Sequence, residues 1–440
     1  MRDLVNNLIE SGIMQIVRRE VDPRFELAAV TQALQRRSNR PILFQNVKGS
    51  ALPVVTNLYG SRRRVCELIG ADGMQFCRRY QDVLKAGEPM RGKHLRAVAT
   101  EDMVWGKLSD LPVPTNSEKD AGPYLTAAIF LAKDPETGTC NLSFHRAQVI
   151  SDNEMRVNLG ETHDLARYQA TAEARGEPLE VAVLIGTSPE VFLAAAASLP
   201  IDDDELAAAA CLAGCAIDMR PCRHISLDVP SSAEIVIEGR ILPNVRRPEG
   251  PYGEFMGYYA DRADRHVFQV DGVSWRNQAL FHSILGASPE EIETLQLALA
   301  TKIYRHLTNV MPGIIDVSCI GALAHTVVQI RQQYEGHARQ AALMAFGADP
   351  RWTKVCTVVD EDVDIHDLAD IAWASTVRVA PDSDVMVIPG VPSLRRDPGR
   401  KHWGRLAVMA TVPFGREHEF ERKRIPGADA IRLRDYGVSE

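Results

Sequence analysis

The chain lacks the features that mark several large classes of protein. No apolar run reaches the roughly 18 residues that a membrane span needs, so no spanning helix is expected. There is no surplus of positive charge: 50 Lys and Arg stand against 58 Asp and Glu, a formal charge of −8. Nucleic acid is therefore not expected as the main partner, since phosphate binding wants a basic face; a local pocket for one small phosphate is compatible. Cysteine is sparse and scattered, with eight residues at 66, 77, 140, 211, 215, 222, 319 and 356 and no CxxC. Buried thiols in a reducing, cytoplasmic compartment are the plain reading. Cys211, Cys215 and Cys222 lack zinc spacing, because the first two fall one helical turn apart in an Ala-rich run. The N-terminal MRDLVNNLIESGIMQ mixes acidic, amide and apolar residues and reads as neither a signal nor a transit peptide. A Walker-type GxxxxGKS/T, a strand-linked GxGxxG, HExxH and GxSxG are also missing, so ATP hydrolysis, dinucleotide oxidoreduction and serine hydrolysis lack their usual signatures.

What is present is an ordinary globular composition, 45% hydrophobic and 25% charged, over 440 residues. That length predicts two or three domains. Helical periodicity over 2–12 and 25–37, with short apolar runs at 41–47 and 53–60, reads as a small α/β unit. Pro, Gly and Lys between about 88 and 122 read as loop or linker. Strand patterns then dominate at 124–132, 140–150, 179–186, 232–241, 266–275 and 279–286, interrupted by helices over 163–175 and 188–214. Few crossover helices predict a mixed or antiparallel sheet, open or closed into a barrel. From 289 the alternation returns: a helix to about 307, an apolar run at 313–323, a helix near 336–346, a strand at 355–360, a helix near 366–374 and a strand at 384–390.

Two stretches carry candidate chemistry. RRPEGPYGEFMGYY, residues 246–259, packs three glycines, two prolines, Glu249 and Glu254 behind a strong strand. Glycines let backbone approach a ligand closely, and carboxylates among aromatic and Met side chains can serve proton transfer. A solvated surface turn is the plainer alternative. In CNLSFHRAQVI, residues 140–150, a strand pattern holds Asn141, His145 and Arg146. A buried Arg needs a carboxylate or phosphate partner; a surface edge strand would not. Positions 141 and 146 differ in parity, so a straight strand sends them to opposite faces. His163 opens a helix after LGET, and Glu205 sits in the acidic start of DDDELAAAA. His, carboxylate and the Asn141 amide oxygen suit Mn2+ or Mg2+; each side chain taken alone reads as a helix-start polar group.

Taken in order, DLVNNLIESGIMQIVRREVDP, NLSFHR, SAEIVIEG, PEGPYGE with GYY, LFHS and QQYEGHARQ (332–340) resemble the UbiD family of decarboxylases. PEGPYGE with an upstream AEIVIEG is specific, and the resemblance spans most of the chain. It implies an α+β and α/β fold in three parts: an N-terminal α/β domain (1–110), a central split β-barrel-like domain binding prenylated FMN (111–295), and a C-terminal α/β domain with oligomerisation contacts (296–440). It implies that Arg146, Glu249 and Glu254 form the family's Glu-Arg-Glu network, with Glu254 the proton donor. It also implies that Asn141, His163 and Glu205 ligate a Mn2+ or Mg2+ ion at the flavin phosphate, with K+ nearby on backbone carbonyls. Ser143, Phe144, His145, Met155, Leu159 and Arg405 fall at further cofactor-binding positions, and Leu159, Thr162, Phe255 and His282 at substrate-pocket positions. Near the C-terminus the family's KxGxDAT-like motif is matched by GRLAVMATVPFG, with Arg405 for Lys and Met409 for Asp; Arg405 still offers a fork to a phosphate.

The activity so implied is reversible, non-oxidative loss of CO2 from an aromatic, heteroaromatic or α,β-unsaturated acid. A flavin prenyltransferase would supply the cofactor, and a homodimer or larger homo-oligomer is expected. Two other readings differ in consequence. A metal-dependent hydrolase would leave the metal open to substrate, and a noncatalytic flavin carrier or assembly subunit would bind cofactor without releasing CO2.

Overall fold

A computed structural model of the protein describes residues 1–440 apart from 72–74, 87–93, 100–101, 161–162, 201–202, 350–351, 392–403, 428–429 and 438–440. Among the described residues no helix is long and apolar enough to cross a membrane.

The N-terminal part pairs three short strands, Gln15–Val17, Ile42–Phe44 and Val54–Thr56, beside the helices Arg2–Glu10 and Glu26–Ser38. The fourth strand of that sheet is Phe281–His282, which pairs in parallel with Val54 and Val55. The run at 279–286, expected as a central strand, is therefore two residues long and belongs to the first sheet. The chain comes back to its beginning before entering the helix Pro289–Val310. That helix also spans 295/296, where the central and C-terminal parts were expected to meet.

The central sheet explains the site. Along its hydrogen-bonded path the strands run Tyr124–Leu125, Ala147–Ser151, Glu154–Val157, Ala263–Arg276, Ile235–Glu249, Leu179–Ile185, Ile129–Lys133 and Cys140–Phe144, with Met103–Gly106 pairing off Ala263–Arg276. LEVAVLI is apolar apart from Glu180 because both faces of its strand are covered. Val181, Val183 and Ile185 pack with Phe130, Ile235 and Ile237 on one side. Ala182 and Leu184 pack with Ile129, Leu131 and Val236 on the other, as the alternation of side chains along a strand demands.

Sequence neighbours lie far apart on this path. Cys140–Phe144 is its last strand and Ala147–Ser151 its second, yet only His145 and Arg146 join them. Laid flat, six strand spacings of about 4.8 Å would separate them by roughly 29 Å. Three Cα steps of about 3.8 Å reach only about 11 Å. The sheet must therefore curl until its edges meet, with the His145 amide adding one more rung to the ladder between Ile129–Lys133 and Cys140–Phe144 by donating to the Ala128 carbonyl at 3.3 Å. This corrects the expectation of one strand over 140–150. Arg146 lies on the bridge between two strands, so the parity argument against its sharing a site with Asn141 does not apply. The run 124–132 divides in the same way, and 188–214 forms two helices, Pro189–Ala196 and Glu205–Ala213.

The C-terminal sheet orders Ile314–Ile320, His325–Ile330, Val355–Asp360, Arg405–Ala410 and Val385–Ile388, with its inner pairs parallel. His325–Ile330 and Arg405–Ala410 were not anticipated as strands.

The strand Ile235–Glu249 runs farther than its sequence pattern, so Arg246 to Glu249 still pair with Ala263 to His266. Gly250 ends it at φ +88°, where an added Cβ would lie 3.3 Å from the Asp261 carbonyl. Gly250→Ala should cost about 1–2 kcal/mol from the left-handed backbone alone. Urea unfolding should show a lower midpoint with unchanged slope; an unshifted midpoint would refute this account of the turn.

Candidate active site

Arg146 occupies the seam, and its side chain is 13% exposed. Its Nε donates to Glu249 Oε1 at 3.1 Å and its Nη2 to Glu249 Oε2 at 3.3 Å. Its Nη1 donates to Glu254 Oε1 at 2.5 Å. Three of the five N–H groups of the guanidinium are thus committed to two carboxylates. Burial works against the charge on Arg146, but its hydrogen bonds to Glu249 and the charges of Glu249 and Glu254 outweigh it, so its pKa lies above the usual value.

Glu249 is sealed, at 1% exposure, and accepts a further bond from the Tyr124 hydroxyl at 3.0 Å. The guanidinium lies over the Tyr252 ring at 4.9 Å, and the rings of Tyr124 and Tyr252 are 4.6 Å apart. Removing one member of such a buried pair typically costs about 3–5 kcal/mol, because the other charge stays behind unpaired.

Glu254 is placed by its loop. Tyr252–Gly253 pairs with Tyr259–Ala260. The Glu254 amide donates to the Tyr258 carbonyl and the Gly257 amide to the Glu254 carbonyl, both at 2.9 Å. Asp120 anchors the loop from outside by accepting from the Gly253 amide at 2.8 Å; burial pushes its carboxyl pKa up. Phe255, expected at the substrate pocket, packs into the C-terminal apolar cluster with its ring 5.6 Å from Trp352.

A second group gathers around the strand Cys140–Phe144. Asn141 Nδ2 donates to Glu205 Oε1 at 3.2 Å, and the Leu142 amide to Glu205 Oε2 at 3.0 Å. Ser143 Oγ donates to Asn141 Oδ1 and contacts His145 Nε2, both at 2.9 Å. The His145 ring lies 5.2 Å from that of His163. Glu205 is the first residue of the helix Glu205–Ala213 and is buried, while His163 caps the helix Asp164–Ala174 from an exposed position.

These donors fit a hard divalent cation. Burial pushes the Glu205 carboxyl up to about 8 despite its backbone hydrogen bonds, so a cation would relieve a real cost. His, Cys, Asp and Glu side chains alone nowhere gather in threes among the described residues, so a cation here would need the Asn141 amide oxygen. Burial also pushes His145 down to about 3, leaving a neutral ring beside Arg146.

The remaining expected positions are dispersed. Met155 and Leu159 are buried in the cluster on one face of the sheet. Phe144 packs edge-on to Phe192 at 5.0 Å on the other face. His282 is enclosed, 3.0 Å from Glu290 Oε1, with the rings of Tyr59 and Phe192 around it. Arg405 is buried in the C-terminal sheet over the Phe346 ring at 5.7 Å, near Asp349. Thr162 lies outside the described residues.

Sequence reasoning missed Tyr124, Tyr252, Asp120 and Glu291. The first was read only as the start of a strand. Glu291 lies in the first turn of Pro289–Val310, where any acidic residue is favoured. It stands in the field of Glu254, Arg146 and Tyr252, and burial, with Glu254 adding, raises its carboxyl to about 7.

Comparison with known proteins covers nearly the whole chain. Models of the UbiD family, described as 3-octaprenyl-4-hydroxybenzoate carboxy-lyase, match in three parts: its N-terminal domain at 5–84, its Rift-related domain at 93–289 and its C-terminal domain at 294–411. Anhydromevalonate phosphate decarboxylase of Methanothermobacter thermautotrophicus is 31% identical over 428 residues, 96% of this chain and 99% of the relative. Among solved structures, the UbiD-class enzyme HmfF from Pelotomaculum thermopropionicum in complex with FMN is 33% identical and covers 99% of both chains, with a TM-score of 0.91. An evolved dimeric form of HmfF in complex with prFMN gives 0.87 at 33% identity over 99% of both chains. The 3,4-dihydroxybenzoic acid decarboxylase AroY of Klebsiella pneumoniae gives 0.88 at 25% identity, over 99% of this chain and 98% of its own.

The Glu291 shift has a measurable consequence. Between about pH 4.5 and 7 the unfolded chain has released a proton that the folded protein still holds, so raising the pH weakens the fold, by on the order of 3 kcal/mol at most. Thermal unfolding of the protein without cofactor should show the Tm of Glu291→Gln climbing relative to that of the wild type as the pH is raised across that window, because the variant lacks this loss. Equal slopes in the two proteins would contradict the assignment.

Proposed function

The chain belongs to the UbiD family of carboxy-lyases, and from that premise we propose that it removes CO2 reversibly from an aromatic, heteroaromatic or α,β-unsaturated carboxylic acid with prenylated FMN. The observation that carries this reading is the Arg146 guanidinium bracketed by Glu249 and Glu254 at the seam of the central sheet.

Losing CO2 from an sp2 carbon leaves an electron pair with nowhere to delocalise, and the flavin, when bound, supplies the sink. Everything else falls to the chain. Arg146 has two N–H groups left after its bonds to the glutamates, enough to hold an incoming carboxylate and orient it. Glu249, enclosed by Arg146 and the Tyr124 hydroxyl, acts as a fixed acceptor that keeps the guanidinium in place. Glu254, bound to Arg146 through one oxygen and 17% exposed, takes up a proton from solvent and passes it to the carbon that CO2 vacates, returning to the carboxylate. Two carboxylates in unlike surroundings divide the tasks. Asn141, His163 and Glu205 would hold a Mn2+ or Mg2+ ion against the cofactor phosphate, with K+ close by and Arg405 as a further phosphate contact. Leu159, Thr162, Phe255 and His282 remain the candidate pocket positions, within functional units at 1–110, 111–295 and 296–440. A homo-oligomer is in keeping with the dimeric form described for a HmfF variant, and light scattering would measure it.

The test is coexpression with a flavin prenyltransferase, followed by absorbance and mass spectra and a screen of carboxylic acids for CO2 release. The wild type should carry a modified flavin and act on at least one aromatic or acrylic acid. Glu254→Gln should keep the flavin spectrum and lose turnover by several orders of magnitude. Near-normal turnover in that variant would sink the proton-donor assignment, and a protein that takes up no flavin would sink the function.

A further inference from the structure

Glu254 is gripped from two directions. Its carboxylate reaches back to Arg146 at the seam of the central sheet. Its neighbour in the chain, Phe255, turns the other way, into the apolar cluster of the C-terminal sheet. There the Phe255 and Trp352 rings lie 5.6 Å apart at 57°, in the range of favourable aromatic contact.

Trp352 is itself fixed. Its amide donates to Asp349 Oδ1 at 3.1 Å. Asp349, 2% exposed, accepts from Lys302 Nζ at 2.7 Å. Lys302 belongs to the helix Pro289–Val310, whose first turn carries Glu291 beside Glu254. The backbone that carries the indole is thus tied through Asp349 to the same helix that meets the proton donor at its other end.

The tight turn over Glu254 to Tyr258 makes the link stiff, since the backbone bonds of Glu254 and Gly257 leave little freedom between the two side chains. A displacement of Phe255 by an ångström is therefore passed on to the Glu254 carboxyl. Misplacement on that scale can cost about 10²-fold in rate.

We propose that Trp352 is a positioning residue for the reaction: by seating Phe255, the C-terminal unit sets how far Glu254 reaches toward Arg146 and the reacting carbon. This rests on the assignment of Glu254 above, and it gives a part of the chain with no group at the chemistry a defined share in the rate.

The test compares Trp352→Ala with the conservative Trp352→Phe in the cofactor-loaded enzyme. The alanine variant should lose 10- to 100-fold in kcat with KM changed less than about threefold, and the phenylalanine variant should recover to within about threefold of wild type. Equal kcat in the wild type and the alanine variant would overturn the proposal, as would a loss that phenylalanine does not restore.

A second reading needs no activity. In protein labelled with 15N-arginine, the Arg146 Nε signal, assigned with Arg146→Lys, should shift in Trp352→Ala and stay in place in Trp352→Phe. An unmoved signal in the alanine variant would reject the link whether or not the protein releases CO2. Absence of CO2 release with the predicted shift would instead point to the functional reading as the failure. Should Trp352→Ala not fold, Phe255→Leu removes the same contact from the loop side and is judged by the same two measurements.

Discussion

A buried guanidinium shared between two carboxylates is the interaction on which the rest of this structure turns. Arg146 cannot shed its charge, and Glu249, at 1% exposure, has no water to turn to. Each would be costly to bury alone. The pair exists because the central sheet closes on itself, and the closure is forced by a two-residue bridge between strands that lie six spacings apart on the path. His145 and Arg146 make that bridge, so the residue that closes the seam also carries the permanent charge. The two longest strands deliver the counter-charges, Glu249 as the last residue of one strand and Glu254 in the loop that leads to the other.

The three parts of the chain are less separate than their sequence order implies. Phe281–His282 returns to the N-terminal sheet, the helix Pro289–Val310 crosses from the site to the C-terminal core, and Phe255 reaches from the catalytic loop into that core. Glu249 and Glu254 both bond to Arg146, and Arg265 lies 3.9 Å from Glu249 as a second cation. Glu291 stands nearby, and burial, with the charge of Glu254 adding, raises its carboxyl to about 7. A site so arranged holds protons near neutral pH, as a reaction ending in proton delivery to carbon requires.

Much of this was legible in the chain. The helices at either end and the strands Leu179–Ile185 and Val355–Asp360 follow their periodicity within about three residues. Glu249, Glu254 and Arg146 were singled out from their motifs, and they do converge. The illegible parts share one cause: they depend on partners distant in sequence. Nothing in CNLSFHRAQVI announces that it breaks into two strands at opposite ends of a sheet, because both halves alternate normally. Tyr124 looks like any aromatic at a strand start until Glu249 is brought 3.0 Å away. Phe255 falls at a substrate-pocket position only through the family resemblance, and its contact with Trp352 is visible only in the fold. Glu291 was hidden by the ordinary preference of helix starts for acidic residues.

The central claim is that the forked charge at 146 organises the chemistry, and Arg146→Lys tests it most directly, because lysine keeps the charge and loses the fork. The quantity to measure is the rate of CO2 release by the flavin-loaded variant, with its absorbance spectrum recorded alongside. The account predicts an intact flavin spectrum and turnover reduced by at least about a thousandfold. Turnover within about tenfold of the wild type would show that a point charge suffices, and the bracketed guanidinium would lose its place at the centre of the account.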